Sequence, residues 1–436
     1  MTTHSRLTRL WRSRLGASTA LLAVAAALAL GTAGTAHAAT SLRTLAEAQG
    51  RYYGTALTVS DLSNTNETNI AGAQFDALTP GNEMKWDTTE PGNGQYNFGP
   101  GDQIASYAKA HGMRVRGHNL VWQNQLPGWV SNLPLNQVQG AMDAHITTEV
   151  SHYKGQIYAW DVVNEPLNGD GSFVNDVFYR AMGTNYFAEA LRTAHAADPS
   201  ARLYINDYGI EGQNAKSNAL YNLAKTLLVQ GVPLGGIGFE SHFIVGQVPS
   251  DFQANMQRFA ALGLDVAVTE LDDRIQLPAS SANLQQQATD YGNVTKDCLA
   301  VSRCVGISQW GIDDANSWID GTFPGWGAAT MYDRNFQPKP AYSATATALG
   351  GSSSGSGSTG ALHAVGAGKC LDVPNSSATA GTQLQIWDCN GQANQAWTHT
   401  SSNQLTVTTG GAQLCLDASG NGTSNGTKVV TWTCNG

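Results

Sequence analysis

Two carboxylates carry the clearest chemical signal in this chain. Glu165 closes the apolar run Ile157-Tyr-Ala-Trp-Asp-Val-Val-Asn-Glu165, and Glu270 closes Leu264-Asp-Val-Ala-Val-Thr-Glu270. Runs of this length and composition read as buried parallel strands, each delivering one acid to its C-terminal end. Two carboxyl groups facing one gap can divide the work of a protonated donor and an ionised attacker, the requirement for cutting a glycosidic bond. The competing reading of either glutamate is an ordinary ion pair with a Lys or Arg in a loop after its strand. The surrounding sequence decides between them.

Elements able to position such a pair recur along the chain. Strand-like stretches occupy residues 52–57, 75–78, 113–120, 157–163, 202–207, 236–239, 265–269 and 305–310. Helical patterns lie between several of them, at residues 138–153, 186–197, 215–230, 249–261 and 282–299. Eight strand units alternating with helices predict an α/β fold of the (β/α)8 TIM-barrel type, in which chemistry sits at the C-terminal ends of the strands. The alternative, a doubly wound open sheet, lacks its Gly-rich phosphate loop after the first strand.

The ends of the chain have a different character. Arg6, Arg9, Arg12 and Arg14 precede the apolar residues 17–30, and Ala36-His-Ala38 offers a cleavage site. Residues 1–38 are therefore predicted to be a secretory signal peptide, too short and Ala-rich to serve as a membrane anchor. The remainder carries 20 Lys and Arg against 33 Asp and Glu, a net charge of −13. Such acidity argues against nucleic acid or an anionic membrane as partner. A neutral polymer stays compatible, and the eleven Trp supply flat faces for stacking on sugar rings. Six cysteines fall into near pairs, and in an exported chain they predict the disulfides Cys298–Cys304, Cys370–Cys389 and Cys415–Cys434. No CxxC or His-x-x-x-His spacing supports a metal site, and no cofactor is expected.

Residues 350–360 contain only Gly, Ser and Thr, a composition that cannot bury a core and acts as a tether. It divides the rest into residues 39–349 and 361–436. The second part repeats itself at an offset of 45 residues: Lys369-Cys-Leu-Asp-Val373 matches Leu414-Cys-Leu-Asp-Ala418. Likewise Gly381-Thr-Gln-Leu-Gln-Ile-Trp-Asp-Cys389 matches Gly426-Thr-Lys-Val-Val-Thr-Trp-Thr-Cys434. Short strands, Gly turns and one disulfide per copy predict an all-β repeat module.

An ordered set of motifs between residues 45 and 349 resembles glycoside hydrolase family 10, the endo-β-1,4-xylanases. They are Asn82-Glu-Met-Lys-Trp86, Gly117-His-Asn-Leu-Val-Trp122, Trp160-Asp-Val-Val-Asn-Glu165 and Tyr204-Ile-Asn-Asp-Tyr208, then Gly238-Phe-Glu-Ser-His-Phe243, Val268-Thr-Glu-Leu-Asp272, Gln309-Trp-Gly311 and Gln337-Pro-Lys-Pro-Ala-Tyr342. The resemblance implies Glu165 as proton donor and Glu270 as nucleophile of a retaining mechanism, with carboxyls about 5–5.5 Å apart. It places Asn164 on the sugar 2-hydroxyl, and Asn82, Lys85, His118, Trp122 and Gln125 on the glycone side. Trp310 and Trp318 become aromatic walls, whereas Trp86 is expected to pack in the core. His242 is expected to hydrogen-bond Glu270 and to be oriented by Asp272, which would keep Glu270 ionised. Tyr208 is open between an aglycone contact and a structural role.

Four positions depart from the family pattern. Gly81 stands for a usual Glu, Gln123 for a His, Gly209 for an Asn, and Glu240 for a Gln. Gly81 removes a polar contact from the second glycone subsite. Glu240 adds a carboxylate whose repulsion would raise the pKa of Glu240 or Glu270.

The repeat resembles the ricin-type β-trefoil, a family 13 carbohydrate-binding module. That resemblance implies sugar contacts from Asp372, Trp387, Asn390 and Asn394 in the first copy, and from Asp417, Trp432 and Asn435 in the second. Gln395 and Trp397 are expected to build its core. A trefoil needs three units and about one and three-quarters are present, so an incomplete, truncated module is expected.

The expected protein is a secreted, monomeric endo-1,4-β-xylanase acting on plant cell-wall xylan, without nucleic-acid or membrane partners. Two alternatives remain: a family member tuned to a decorated xylan or another β-glycoside, and a carbohydrate-binding protein with an inactive barrel.

Overall fold

The computed structural model describes residues 40–351, 359–400 and 404–434. The predicted signal peptide 1–38, most of the Gly/Ser tether and Asn435 lie outside the described residues.

Strands whose side chains are buried on both faces need cover on both sides, and here they find it by closing on themselves. β1 (Tyr52–Leu57), β2 (Ala77–Pro80) and β6 (Gly236–Phe239) bury every residue. With β3 (Arg114–Val121), β4 (Ile157–Asn164), β5 (Arg202–Asp207), β7 (Asp265–Gln276) and β8 (Cys304–Gln309) they pair in parallel in chain order. β8 then pairs with β1 and completes an eight-stranded barrel. Helices separate successive strands. The longest are Leu135–His152, Asn185–Ala197, Ala215–Val229 and Ser281–Ala300. In Asn185–Ala197 the buried residues Phe187, Ala190, Leu191 and Ala194 follow the 3.6-residue period that seats one face on the strands. Asn214 starts Ala215–Val229 with a reciprocal capping box to Ser217, satisfying helix-end N–H groups.

Three differences from the sequence expectation matter. β2 begins two residues later than predicted, because Phe75 ends the preceding helix with its N–H on Ala71 O (3.1 Å). The helices Thr65–Gln74, Gly99–Ala110 and Pro340–Ala348 were not foreseen; the first has almost no apolar face to betray it. β7 does not end at Glu270 but runs on to Gln276. Beyond the barrel it gains two further partners, the short strands His242–Ile244 (parallel) and Trp326–Gly327 (antiparallel).

Aromatic rings lie over glycines on both faces of the barrel wall: Tyr204 and Tyr52 inside it, Trp160 on the helix side against Tyr153. A Cβ on Gly117 would meet the Trp160 ring at 2.2 Å, one on Gly236 the Tyr204 ring at 2.3 Å, and one on Gly306 the Tyr52 ring at 2.4 Å. Arg116 is buried inside the barrel, stacked on Tyr204 with its guanidinium carbon 4.4 Å from the ring centre and paired with Asp161.

All three predicted disulfides are present. Cys298–Cys304 ties the end of helix Ser281–Ala300 to the start of β8. Among the described residues no helix is long and apolar enough to cross a membrane.

The C-terminal unit is all β. One sheet holds Thr359–Gly360, Trp397–His399, Leu405–Thr409, Ala412–Ala418 and Val429–Trp432; the other holds His363–Ala364, Lys369–Asp372 and Gln385–Trp387. Its small core is Val373, Leu384, Trp397, Val407 and Leu414. Trp397 is buried there, its indole N–H donating to Leu371 O at 3.1 Å.

The Gly117→Ala substitution is expected to destabilise the barrel by about 1–3 kcal/mol, since the Trp160 ring fills the space a methyl would need. Chemical denaturation checks this; an unchanged midpoint would show that the ring can move aside.

Candidate active site

The parallel register brings the ends of β4, β5, β6 and β7 to one mouth. Asn164 is the in-register partner of Asn206, and His242 that of Asp272. Glu165 follows Asn164 with a left-handed φ of 48°, and both of its backbone groups are held. Its N–H donates to Asn206 O (2.9 Å), and its carbonyl accepts from Gln123 Nε2 (3.1 Å). Glu270, on β7, is buried.

Asn206 ties the carboxyls together. Thr269 Oγ1 donates to its Oδ1 at 2.7 Å, which turns Nδ2 toward Asn164 Oδ1 (2.9 Å), Glu270 Oε1 (2.9 Å) and Glu240 Oε1 (3.1 Å). Asn164 Nδ2 in turn reaches Glu165 Oε1 at 3.4 Å. His242 stands on the other side of Glu270. Its Nε2 is 3.4 Å from Glu270 Oε2 and its Nδ1 is 3.0 Å from Asp272 Oδ2, the arrangement expected from the sequence. Trp318 Nε1 donates to the same Asp272 oxygen at 2.7 Å.

These contacts push the two acids apart. Burial and the charge of Glu270 raise the pKa of Glu165 above the usual carboxylate range. Burial would also raise Glu270, but the positive charge of His118 and the hydrogen bond and charge of His242 outweigh it and bring its pKa down. Burial opposes a charged His242; Asp272 and Glu270 overcome this and lift it to about 10. The added carboxylate Glu240 absorbs the repulsion that the sequence left open between two residues. Burial and the charge of Glu270 carry it well above the usual range.

The glycone-side residues form a second cluster. Lys85 Nζ donates to Asn82 Oδ1 (3.1 Å) and Gln125 Oε1 (2.8 Å), and lies 5.1 Å from the centre of the Trp122 ring. Gln125 Nε2 closes the triangle on Asn82 at 3.2 Å. His118 adjoins this cluster, its ring centre 6.5 Å from that of Trp122. It is 2% exposed, with Nδ1 3.1 Å from Asp161 and 3.8 Å from Glu270. Trp310 packs edge-on against His118, with ring centres 5.3 Å apart. Trp318 is 37% exposed and edge-on to His242, so it is both a wall and an anchor. Trp86 is buried and stacked on His145, as core packing required. Tyr208 is half exposed above the Lys216 ammonium, which lies 3.6 Å from its ring centre.

Sequence reasoning assigned no role to Asn206, Arg116 or Asp161. Asn206 sits inside a quoted motif but gains its role from register. Arg116 and Asp161 had a readable signal: opposite charges inside two adjacent apolar strands must find each other.

In the C-terminal unit Asp372 accepts from Gln385 Nε2 (2.9 Å), Asn394 Nδ2 (2.7 Å) and Gln395 Nε2 (3.0 Å), beside the 57% exposed Trp387. Asn390 is exposed and turned to its own loop through Gln392 N. In the second copy Asp417 accepts from Ala418 N, Trp432 is 47% exposed, and the buried Val430 takes the place of Gln385.

Two sets among the described residues have metal-ligand spacing. Glu240, His242 and Glu270 offer atoms within 4.8 Å of one another, and so do His363, Cys370 and Cys389. In the first, His242 would have to release its proton to coordinate; in the second, the cysteines are joined as a disulfide.

Comparison with known proteins agrees with this geometry. Residues 41–348 match the model of glycosyl hydrolase family 10, and residues 358–436 that of the ricin-type beta-trefoil lectin domain. Endo-1,4-beta-xylanase A of Phanerodontia chrysosporium is 52% identical over 322 residues, 73% of this chain and 79% of that protein. Endo-1,4-beta-xylanase of Agaricus bisporus is 48% identical over 306 residues, 69% of this chain and 92% of that protein. Among solved structures, native xylanase 10B from Thermotoga maritima superposes with a TM-score of 0.70 at 40% identity, covering 72% of this chain and 99% of that one. A glycosylated endo-beta-1,4-xylanase from Gloeophyllum trabeum gives 0.69 at 43%, covering 71% and 98%.

The titrations set the pH dependence of stability. Burial raises Glu67 and Asp207 to about 8 and Asp273 to about 9. Above the unfolded carboxylate value of about 4, the folded chain keeps these protons and the unfolded chain does not, so stability falls as pH rises. His242 acts in the same direction between its unfolded value of about 6.5 and 10. Asp161 and Glu270, whose pKa values are lowered, cost stability only in more acidic solution, as they take up protons. Thermal unfolding is expected to give the highest Tm at roughly pH 4–6 and a continuous decline toward alkaline pH. A Tm that is flat or rising across the neutral range would contradict these assignments.

Proposed function

The chain belongs to glycosyl hydrolase family 10, and from that membership we propose that it is an endo-1,4-β-xylanase, hydrolysing internal β-1,4-xylosidic bonds of plant xylan with retention of configuration. One observation carries the reading: the carboxyls of Glu165 and Glu270, linked through Asn164 and Asn206, have pKa values displaced in opposite directions. Glu270, kept ionised by His118 and His242, attacks the anomeric carbon and forms a covalent glycosyl-enzyme. Glu165 gives its proton to the departing sugar oxygen, then takes one from the water that releases the glycosyl group. Asn164, its Oδ1 held by Asn206, presents Nδ2 for the sugar 2-hydroxyl. Asn82, Lys85, Gln125 and Trp122 form the polar floor and wall of the glycone side, Trp310 and Trp318 its other wall.

We place residues 39–349 as the catalytic barrel, 350–360 as a tether and 361–436 as a carbohydrate-binding module of a monomeric protein exported by residues 1–38. Three disulfides fit an extracellular setting. Of the two candidate sugar sites, the one at Asp372, held by three amide donors on the strand next to that of Trp387, is the more ordered. A decorated xylan is a second reading, favoured by Gly81, which leaves the glycone side without a side chain at that position. Product profiles on xylan, arabinoxylan and cellulose distinguish the two.

On an aryl β-xylobioside, Glu270→Ala is expected to abolish turnover; rates equal to the parent would remove Glu270 as nucleophile. Glu165→Ala is expected to lose about 10²–10⁴-fold on xylan, whose leaving group needs a proton, and far less in the first step with an activated aryl leaving group. Deleting residues 351–436 is expected to spare soluble substrate and weaken action on insoluble xylan. Equal loss on both would contradict a tethered module.

A further inference from the structure

The steps above leave Glu240 unused, although it sits among the reacting groups. It follows β6 and is 2% exposed. Its N–H donates to Asp207 O (3.1 Å) and its carbonyl accepts from Glu270 N (3.0 Å), so its backbone is strapped between β5 and β7. The side chain cannot swing away to solvent.

The donors around it can be counted. Asn206 Nδ2 carries two hydrogens and faces three acceptors, on Asn164, Glu240 and Glu270. His242 has one face on Asp272, and its Nε2 is nearer Glu270 (3.4 Å) than Glu240 (3.8 Å). The other charged groups facing Glu240 are Glu165 after β4, Asp207 on β5 and Glu211 in the loop that follows. Lys85 is occupied by Asn82 and Gln125, and Lys216 by Asp207 at 2.7 Å. An ionised Glu240 would therefore hold a shared amide hydrogen and no cation of its own, with one oxygen within 4.8 Å of a Glu270 oxygen. As a neutral acid it satisfies the count: Oε1 accepts from Asn206, and the hydroxyl adds the missing hydrogen.

Resting on the family 10 reading, we propose that Glu240 is a positioning residue that works as a neutral carboxylic acid beside Glu270, and that its ionisation, separately from that of Glu165, ends activity on the alkaline side. Once charged, Glu240 competes for the Asn206 amide and for His242 Nε2–H, the two donors that orient Glu270. The nucleophile is then misplaced, and kcat falls more than KM rises. Burial and the charges of Glu270 and Glu165, which raise the Glu240 pKa, agree with this state.

The test is the pH profile of kcat/KM on an aryl β-xylobioside with an activated leaving group, for which the first step does not need the Glu165 proton. Glu240→Gln supplies the hydrogen without the titration. It is expected to stay within about threefold of the parent near pH 6 and to move the alkaline fall up by at least about one pH unit. An unmoved alkaline fall overturns the proposal, as does a loss above about 100-fold near pH 6 in a folded variant. Glu165→Gln provides the check if Glu240→Gln does not fold: the alkaline fall is expected to survive in it, and its disappearance overturns the proposal. Glu270→Ala, run alongside, reports on the nucleophile alone, so failure of the underlying enzymatic reading is seen separately.

Discussion

The imidazolium of His242, clamped between Asp272 and Glu270, is the interaction on which the rest of the mouth depends. Together with His118 it offsets the burial that drives Glu165 and Glu240 toward their neutral forms and would do the same to Glu270. The clamp dictates local structure. Asp272 must stand level with His242, so β7 runs past the barrel and pairs with His242–Ile244. Trp318 must lie close enough to donate to Asp272, which fixes one wall of the cleft. Removing one partner of a buried ion pair typically costs roughly 3–5 kcal/mol, so a loss at Asp272 would reach both the charge of Glu270 and the wall above it.

A second line of charge supports Glu270 from within the barrel. Arg116 pairs with Asp161, Asp161 faces His118 at 3.1 Å, and His118 faces Glu270 at 3.8 Å. Buried charges persist when each has a partner, and here the partners form a row across β3, β4 and β7. Glu165 has weaker backing, since His118 and Lys216 act on it only from a distance. Its side chain is half-buried, touched by Asn164, and its backbone is held in a left-handed conformation by Asn206 and Gln123. Both acids touch an amide, but only Glu270 also has imidazole nitrogens within 3.8 Å. That difference, rather than residue type, separates an attacker from a donor.

The positions that depart from the family pattern take their meaning from these contacts. Gln123 supports the carbonyl of the strained Glu165. Gly209 has φ +67°, a region open to both Gly and the Asn it replaces, so the exchange preserves the backbone. Glu240 brings an ionisable group to a place whose hydrogen count suits a neutral one. Gly81 has no contact that explains it beyond the nearby Thr58 methyl, 3.0 Å from where a Cβ would stand.

What the sequence determined by itself is the part encoded in local pattern and residue chemistry. Apolar runs marked the eight barrel strands, near-neighbour cysteines marked the disulfides, and ordered motifs marked Glu165, Glu270, His242, Asp272 and the Asn82–Lys85–Gln125 group. The tertiary structure decided what each of them meets. The run beyond Glu270 is polar, so nothing in its composition announced that β7 continues; it is held by strands from elsewhere in the chain. Asn206 is an unremarked amide until register places it level with Asn164 and beside residues 34 and 64 positions away. His118 is marked by its motif, but only the closed barrel brings its Nδ1 to Asp161 and to within 3.8 Å of Glu270. Proton affinity, above all, is set by burial and by the charges within a few ångströms, and those neighbours are fixed only when the barrel closes.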